Sequence, residues 1–96
     1  MTDLAAPTES TQSDTTGRIT MYGAEWCGDC RRSKSLLDRL EIDYDYVDLL
    51  VVEDGADRAH AISGRTNIPV IQFPDGTHMV EPSDAEVRAK LTELGR

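Results

Sequence analysis

The sequence has no apolar run long enough to cross a membrane, and its first residues lack the basic start and the apolar stretch of a signal peptide. Basic residues are also few, since 10 Lys and Arg stand against 18 Asp and Glu and give a formal net charge of −8. Phosphate contacts need a basic surface, so uniform binding to nucleic acid or anionic lipid is not expected. We therefore expect a cytoplasmic protein without a nucleic-acid or membrane partner.

The N-terminal segment, residues 1–17, offers little material for a core. It is rich in Thr, Ser, Asp and Glu, and Leu4 is its one large aliphatic side chain after the initiator methionine. We predict a disordered tail here. The remaining residues, 18–96, are enough for one small domain with its own core.

Beyond residue 17, the apolar pattern alternates between strand-like and helix-like segments. Ser33, Leu36, Leu37 and Leu40 follow helical spacing, and Pro74-Asp75-Gly76 predicts a hairpin turn. The predicted elements are a strand at 18–22, a helix at 28–40, a strand at 44–50, a helix at 54–63, strands at 70–73 and 77–80, and a last helix that begins at Ser83 with a capping box to Glu86.

This order, β-α-β-α-β-β-α, predicts an α/β fold. A strand, a helix and a second strand make a right-handed parallel crossover, and the closing hairpin adds antiparallel strands. We therefore expect a four-stranded mixed sheet with three helices distributed over both of its faces.

Both cysteines of the chain lie in one segment, Trp26-Cys27-Gly28-Asp29-Cys30, between the first strand and the first helix. Two thiols at this spacing can close a disulfide and reopen it, which is typical of redox chemistry. If the helix begins near Cys27, free backbone N–H groups and the positive end of the helix dipole stabilise its thiolate. Cys30, one turn later, is expected to be more buried and to act as the resolving thiol.

Charged and flexible residues surround the pair. Asp29 opposes a thiolate, whereas the basic residues Arg31, Arg32 and Lys34 favour one, and Gly28 leaves the loop more flexible than a proline would. The basic cluster has two interpretations: a solvated helix face, or a local positive field for a thiolate and an anionic substrate.

Ile68-Pro69 begins the third predicted strand, where a proline cannot donate a ladder hydrogen bond. A cis peptide would aim the backbone of residue 68 at the redox loop. Local sequence alone favours a trans bond, because most X–Pro bonds are trans.

Four segments together resemble the glutaredoxins, and most of all the mycoredoxin branch, whose actinobacterial members work with mycothiol. The segments are Trp26 to Cys30, Thr66-Asn67-Ile68-Pro69-Val70, Pro74-Asp75-Gly76-Thr77 and Pro82-Ser83-Asp84-Ala85-Glu86-Val87. The resemblance spans about residues 18–96. It implies a thioredoxin fold, a cis peptide at Pro69, Cys27 as the nucleophile, Cys30 as the resolving thiol, and a low-molecular-weight thiol as a co-substrate that is not tightly bound.

The sequence departs from the family pattern at two places, of which the first bears on that thiol. Glutaredoxins that use glutathione commonly carry a Gly-Gly pair and an acidic residue before the last helix, where this chain has Glu81-Pro82-Ser83-Asp84. This difference favours mycothiol over glutathione. Asp29 also replaces the aromatic residue that usually lies between the cysteines.

Further residues are candidates for binding the thiol or the substrate. Trp26 is predicted to be a wall of the cleft and an anchor of its loop, whereas Ser83 and Asp84 are explained by helix capping and are also candidates for a contact with an anionic group. The full set of binding candidates is Trp26, Gly28, Asp29, Tyr22, Arg31, Thr66, Asn67, Ile68, Pro69, Ser83 and Asp84.

The leading hypothesis is a monomeric thiol–disulfide oxidoreductase that reduces protein disulfides or mixed disulfides through Cys27 and Cys30. One alternative is a thioredoxin-like dithiol electron donor, and another is an iron–sulfur cluster shared by two copies through Cys27. No metal site is predicted, because Cys27, Cys30, His60 and His78 match no zinc-finger spacing. A purely structural disulfide is disfavoured because so short a loop constrains little chain entropy.

Overall fold

The computed structural model describes residues 18–96, and the predicted tail, residues 1–17, lies outside them. The predicted order of elements is confirmed. The elements are β1 (Ile19–Gly23), α1 (Gly28–Arg39), β2 (Tyr44–Asp48), α2 (Gly55–Ser63), β3 (Val70–Gln72), β4 (His78–Val80) and α3 (Asp84–Glu93).

The four strands form one mixed sheet in the order β2-β1-β3-β4. β1 pairs with β2 in parallel, with Met21 opposite Tyr46, and with β3 in antiparallel, with Met21 opposite Ile71. β3 and β4 form the predicted hairpin. The carboxyl ends of β1 and β2 therefore lie at one edge of the sheet, and the loop that carries the cysteines leaves from that edge.

The sheet separates two apolar clusters, because successive side chains of a strand point to opposite faces. The first cluster lies under α1 and α3, and the second lies under α2, so the helices cover both faces as predicted. The first comprises Ile19, Met21, Cys27, Cys30, Leu36, Leu37, Ile71, Phe73, Val87 and Leu91, and the second Tyr22, Val47, Ala59 and Val70. Truncation of a buried leucine such as Leu36 to alanine should cost about 2–5 kcal/mol.

Local capping chemistry sets the ends of two helices as the sequence indicates. At the start of α3, Glu86 N–H donates to Ser83 Oγ over 3.1 Å and Ser83 N–H donates to Glu86 Oε1 over 2.8 Å, which completes the capping box. α2 ends at Gly64, whose φ of 72° is the left-handed conformation that glycine adopts without steric cost.

The second strand is shorter than the predicted range of 44–50. Asp48 ends it, because its side chain accepts a hydrogen bond from Leu50 N–H at 2.9 Å and its carbonyl accepts from Val52 N–H at 2.8 Å. These bonds turn the chain and leave Leu50 and Val51 exposed. Within residues 18–96, no helix has both the length and the apolar character needed to cross a bilayer.

Candidate active site

Cys27 occupies the N-cap position of α1. Its backbone is extended, with φ of −89° and ψ of 118°, and its Sγ accepts a hydrogen bond from Cys30 N–H at 3.3 Å. Cys27 N–H donates to the Ala24 carbonyl over 3.1 Å, which holds the loop in a tight turn. The sulfur therefore lies where the first N–H groups of the helix are free of helical partners, a position that favours negative charge.

The two sulfurs differ in exposure and environment. Both cysteines are free thiols, but Cys27 is 9% exposed and Cys30 only 1%. Burial, reinforced by the hydrogen bond with Cys27, raises the pKa of the Cys30 thiol to about 12. Cys27 is thus the more accessible of the two thiols, and Cys30 is held as a neutral thiol behind it.

Gly23, the last residue of β1, makes room for the buried sulfur. A Cβ atom at this position would lie 2.9 Å from Cys30 Sγ, closer than real Cβ atoms come, and 3.1 Å from Cys30 Cβ. The close approach of α1 to β1 therefore needs a residue without a side chain. Sequence reasoning missed Gly23, although a glycine at the end of a strand is a signal of close backbone approach.

The segment before β3 lies against Cys27. The peptide bond between Ile68 and Pro69 is cis, as the family resemblance implies, so the trans bond favoured by local sequence is wrong. Pro69 is buried, and the Ile68 carbonyl lies 3.9 Å from Cys27 Sγ, within reach of a weak S–H···O contact. This places an exposed loop and its backbone groups directly beside the sulfur.

The basic residues after the cysteines are all engaged by partners. Arg31 donates to the Glu25 carbonyl over 2.6 Å, and Lys34 lies 3.8 Å from the Glu25 carboxylate. Arg32 pairs with Asp29 at 3.0 Å, so the carboxylate between the cysteines has a local counter-charge. These exposed pairs offset charge locally and contribute little to stability, about 0–1 kcal/mol each.

Arg32 also connects the redox helix to the start of α3. Its guanidinium donates to the Pro82 carbonyl over 2.8 Å and to Asp84 Oδ1 over 3.3 Å. The second turn of α1 and the start of α3, where sequence reasoning placed Ser83 and Asp84, are therefore joined. This connection spans 50 residues of sequence, and no local pattern indicates it.

The comparisons with known proteins agree with this geometry. The family model described as Glutaredoxin matches residues 19–79. A Mycobacterium tuberculosis protein named as a glutaredoxin is 35% identical over 80 residues, which cover 82% of this chain and 95% of that protein. Mycoredoxin 1 of Corynebacterium glutamicum is 34% identical over 77 residues, 79% of this chain and 95% of its own length.

The chain belongs to the glutaredoxin family.

A solved structure supports the same assignment. The crystal structure of a glutaredoxin from Archaeoglobus fulgidus superimposes with a TM-score of 0.67 at 27% identity and covers 82% of this chain and 86% of that one. The protein is accordingly a thiol–disulfide oxidoreductase of the glutaredoxin and mycoredoxin type, with a thioredoxin fold. Members of the family use a low-molecular-weight thiol as co-substrate.

With one exception, the other predicted binding residues of this glutaredoxin lie in three segments: the cysteine loop, the loop before β3 and the start of α3. Trp26 directly precedes Cys27 in the sequence and is 67% exposed. Thr66 and Asn67 are exposed on the loop before Ile68, and Asn67 Nδ2 donates to Glu81 Oε1 over 3.3 Å. That contact joins the loop before β3 to the segment before α3, so the two lie side by side.

Tyr22 is not brought to the cysteines. It follows Met21 in β1 and therefore points to the opposite face of the sheet, where it is buried in the second cluster. Arg58 of α2 lies over its ring, 5.5 Å from the centroid. Tyr22 is thus part of the core under α2.

The histidines weighed as metal ligands lie on exposed positions of α2 and β4. Over residues 18–96 there is no group of three or more His, Cys, Asp and Glu side chains arranged to hold a metal ion.

Proposed function

We propose that this glutaredoxin reduces mixed disulfides between proteins and mycothiol, with Cys27 as the nucleophile and Cys30 as the resolving thiol. The observation that carries the proposal is the position of Cys27 Sγ, which caps α1, accepts from Cys30 N–H, and is the more exposed of the two sulfurs. Thiolates are the attacking species in disulfide exchange, and a helix N-terminus favours them.

The reaction consists of two exchanges. The Cys27 thiolate attacks the mycothiol sulfur of the mixed disulfide, the protein thiolate leaves with the bonding electron pair, and mycothiol becomes attached to Cys27. A second mycothiol then attacks the sulfur of the bound mycothiol, which forms mycothiol disulfide and releases the Cys27 thiolate, or Cys30 attacks Cys27 Sγ and releases the bound mycothiol as a thiolate. The first route leaves Cys27 reduced, whereas the second leaves a disulfide between Cys27 and Cys30.

The surfaces around Cys27 support a role in holding the thiol and the protein. The Ile68 backbone and the exposed Thr66 and Asn67 lie on one side, and the exposed indole of Trp26 is adjacent in sequence. We assign Gly28, Asp29 and Arg31 to the same surface, whereas Pro69 is buried and would act by holding the Ile68 backbone there. The N-terminus of α3, with Ser83 and Asp84, is the candidate position for a hydrogen-bonding group of the thiol.

The choice of mycothiol rests on two observations. Relatives at 34–35% identity include a protein named Mycoredoxin 1. The segment before α3 reads Glu81-Pro82-Ser83-Asp84, and its Pro82 carbonyl and Asp84 carboxylate are both bound by Arg32. A reducing compartment such as the cytoplasm would keep both thiols free between turnovers.

The test is a peptide carrying mycothiol in a mixed disulfide, with the same peptide carrying glutathione as its matched control. Cys27→Ser should abolish turnover, and Cys30→Ser should retain much of it when mycothiol is the reductant. Faster turnover of the glutathione-bearing peptide would overturn the choice of thiol. Turnover by Cys27→Ser would overturn the role of Cys27.

A thioredoxin-like dithiol donor is the second candidate, favoured by the direct contact of Cys30 N–H with Cys27 Sγ, which shows that the pair is close. In that mechanism the target protein becomes attached to Cys27 and only Cys30 releases it. Cys30→Ser would then be inactive and trapped on its target. Electron sources tested side by side, namely mycothiol, glutathione and thioredoxin reductase, separate the two functions.

A further inference from the structure

Glu81, which directly follows β4 and precedes α3, has a backbone conformation that is unusual for a glutamate. Its φ is 52°, in the left-handed region that glycine adopts without steric cost. Its N–H donates to the Pro69 carbonyl over 2.9 Å, which fixes this backbone beside the start of β3. Residues other than glycine cost conformational energy here and are concentrated at functional sites. The Glu81 side chain is therefore a candidate for a role that a glycine could not fill.

The Glu81 side chain lies on the same surface as the loop beside Cys27. Its Oε1 accepts a hydrogen bond from Asn67 Nδ2 over 3.3 Å, and both residues are exposed. Asn67 directly precedes Ile68, whose carbonyl lies 3.9 Å from Cys27 Sγ. A thiol that is attached to Cys27 and extends along this loop therefore passes Asn67 and Glu81.

Glu81 differs in its partner from the two carboxylates of the predicted binding set. Arg32 pairs with Asp29 at 3.0 Å and with Asp84 at 3.3 Å, so both of these carboxylates have a counter-charge. In the described part of the chain, no Lys, Arg or His side chain forms an ion pair with Glu81, and its hydrogen-bond donor is the neutral amide of Asn67. Its negative charge therefore acts on whatever binds beside it.

The two small thiols considered for this enzyme differ in charge. Glutathione carries a carboxylate at each end, whereas mycothiol, a conjugate of acetylcysteine with an amino sugar and inositol, carries hydroxyl groups and no carboxylate. A fixed carboxylate repels a second carboxylate that is brought close to it, but it accepts hydrogen bonds from hydroxyl groups. Two exposed arginines of the adjoining segments, Arg31 and Arg65, act in the opposite sense, and Arg31 is already bound to the Glu25 carbonyl.

We propose that Glu81 is a specificity-determining residue that disfavours thiols bearing a carboxylate at the surface beside Cys27 and thereby selects an uncharged thiol. The inference rests on the proposed function, because it concerns the small thiol of the mixed disulfide that Cys27 attacks. The selection is electrostatic, since an anionic thiol must hold its carboxylate near Glu81 while its sulfur meets Cys27. Glu81 forms no bond to the thiol, and Cys27 stays the nucleophile.

The experiment compares two substrates that differ mainly in charge. One peptide is prepared as a mixed disulfide with glutathione and, separately, with glutathione diethyl ester, in which both carboxylates are masked. Each substrate is mixed with reduced protein, and the release of the peptide thiol is followed in a single turnover. The wild type should react faster with the ester. Glu81→Gln should reduce this preference about fivefold, the scale of one pair of like charges a few ångströms apart in water.

The chain supplies a matched control in Glu41. This residue has the same side chain and a similar left-handed φ of 56°, but it is exposed beyond the far end of α1. Glu41→Gln removes the same charge from the protein and should leave the preference for the ester unchanged. Glu81→Gly removes the charge and also relieves the backbone, and it should reduce the preference by the same factor as Glu81→Gln.

Salt gives a readout that a change of shape would not produce. Sodium chloride at roughly 1 M shortens the screening length to about 3 Å, so it should weaken the preference of the wild type for the ester. The smaller preference of Glu81→Gln should respond less to the same salt. Stability is measured in parallel for each variant by urea denaturation, which identifies any variant that is not fully folded.

Four outcomes would overturn the role of Glu81. They are a wild type that reacts no faster with the ester, an unchanged preference in Glu81→Gln, an equal change in Glu41→Gln, and a change in Glu81→Gly that Glu81→Gln does not show. The third would assign the effect to the net charge of the protein, and the fourth to the shape of the backbone. Failure of the wild type to release peptide thiol from either substrate would instead overturn the proposed function, and this inference with it.

Discussion

Cys27 and Cys30 are the same residue type one helical turn apart, yet the fold gives them different chemistry. Cys27 ends the loop and caps the helix, with backbone N–H at its sulfur and an open surface beside it. Cys30 lies within the first turn, against Gly23 and the apolar cluster, where burial keeps it protonated. The difference teaches that the position relative to the helix start, and not the thiol itself, sets the environments to which we assign attack and resolution.

Removal of the outer sulfur should have the largest effect. Cys27→Ser replaces the nucleophile with a hydroxyl that is hardly ionised at neutral pH, so the rate of mixed-disulfide reduction should fall to background. The assay is release of thiol from the mycothiol-bearing peptide. Cys30→Ser is the matched variant, because it removes the same atom type from the inner position. Equal residual rates of mixed-disulfide reduction in the two variants would contradict the assignment of attack to Cys27 and of resolution to Cys30.

Crowding the inner sulfur is the next test. Gly23→Ala places a Cβ 2.9 Å from Cys30 Sγ and should lower the free energy of unfolding by about 1–3 kcal/mol, the cost of overpacking a core. Urea denaturation of the reduced wild type and of the reduced variant measures this difference in the free energy of unfolding.

Gly28→Ala is the control for that substitution, since its added Cβ would meet only Arg31 Nη2 at 3.9 Å. Its stability should stay equal to that of the wild type or rise slightly, because alanine is the better helix former. A fully stable Gly23→Ala variant would show that α1 can move away from β1 at little cost.

The burial of Cys30 should also make the free energy of unfolding depend on pH in the alkaline range. The pKa of Cys30 is raised from 9.0 to about 12 in the folded protein, so the unfolded chain releases this proton first as the pH rises. The free energy of unfolding should therefore fall between about pH 9 and pH 12, by at most about 1.4 kcal/mol per pH unit from this group.

The pKa values of Tyr44 and Tyr46 are also raised, so these residues add to the same fall in stability. Both remain in Cys30→Ala, and the difference between this variant and the wild type therefore gives the contribution of Cys30 alone. Urea denaturation of both reduced proteins at several pH values gives the two slopes. Identical slopes would mean that the inner thiol is not shielded from solvent.

The smallest effect on stability is expected for Arg32→Gln. It removes the ion pairs with Asp29 and Asp84, which are exposed and worth about 0–1 kcal/mol each. If the start of α3 holds the thiol, KM for the mycothiol-bearing peptide should rise while kcat changes little. Arg39→Gln, at the far end of the same helix, is the control and should leave KM unchanged. An unaltered KM in Arg32→Gln would show that the start of α3 does not take part in binding the thiol.

The fold was predictable because its signals are local. Helical spacing, the turn at Pro74-Asp75-Gly76 and the Ser83 capping box each lie within a few residues, and each element formed near its expected place. The error at β2 is also local, since the Asp48 side chain captures Leu50 N–H and ends the strand early.

The site was predictable only in part, because its decisive contacts are distant in sequence. The cysteine pair is visible as a motif, but the meeting of Gly23, Cys30 and Tyr46 depends on the register of two strands and the approach of a helix. Tyr22 was misplaced for the same reason. Alternation along β1 separates it from Met21, but only the packed structure shows which face carries the cysteines.

The exposed indole beside Cys27 has a practical consequence. Trp26 is the one tryptophan of the chain, so all tryptophan emission comes from the exposed residue that directly precedes Cys27. Addition of a thiol to that sulfur, or closure of the disulfide, changes the surroundings of this single fluorophore. The protein therefore carries a built-in optical reporter with which its oxidation state can be followed in real time, without a label.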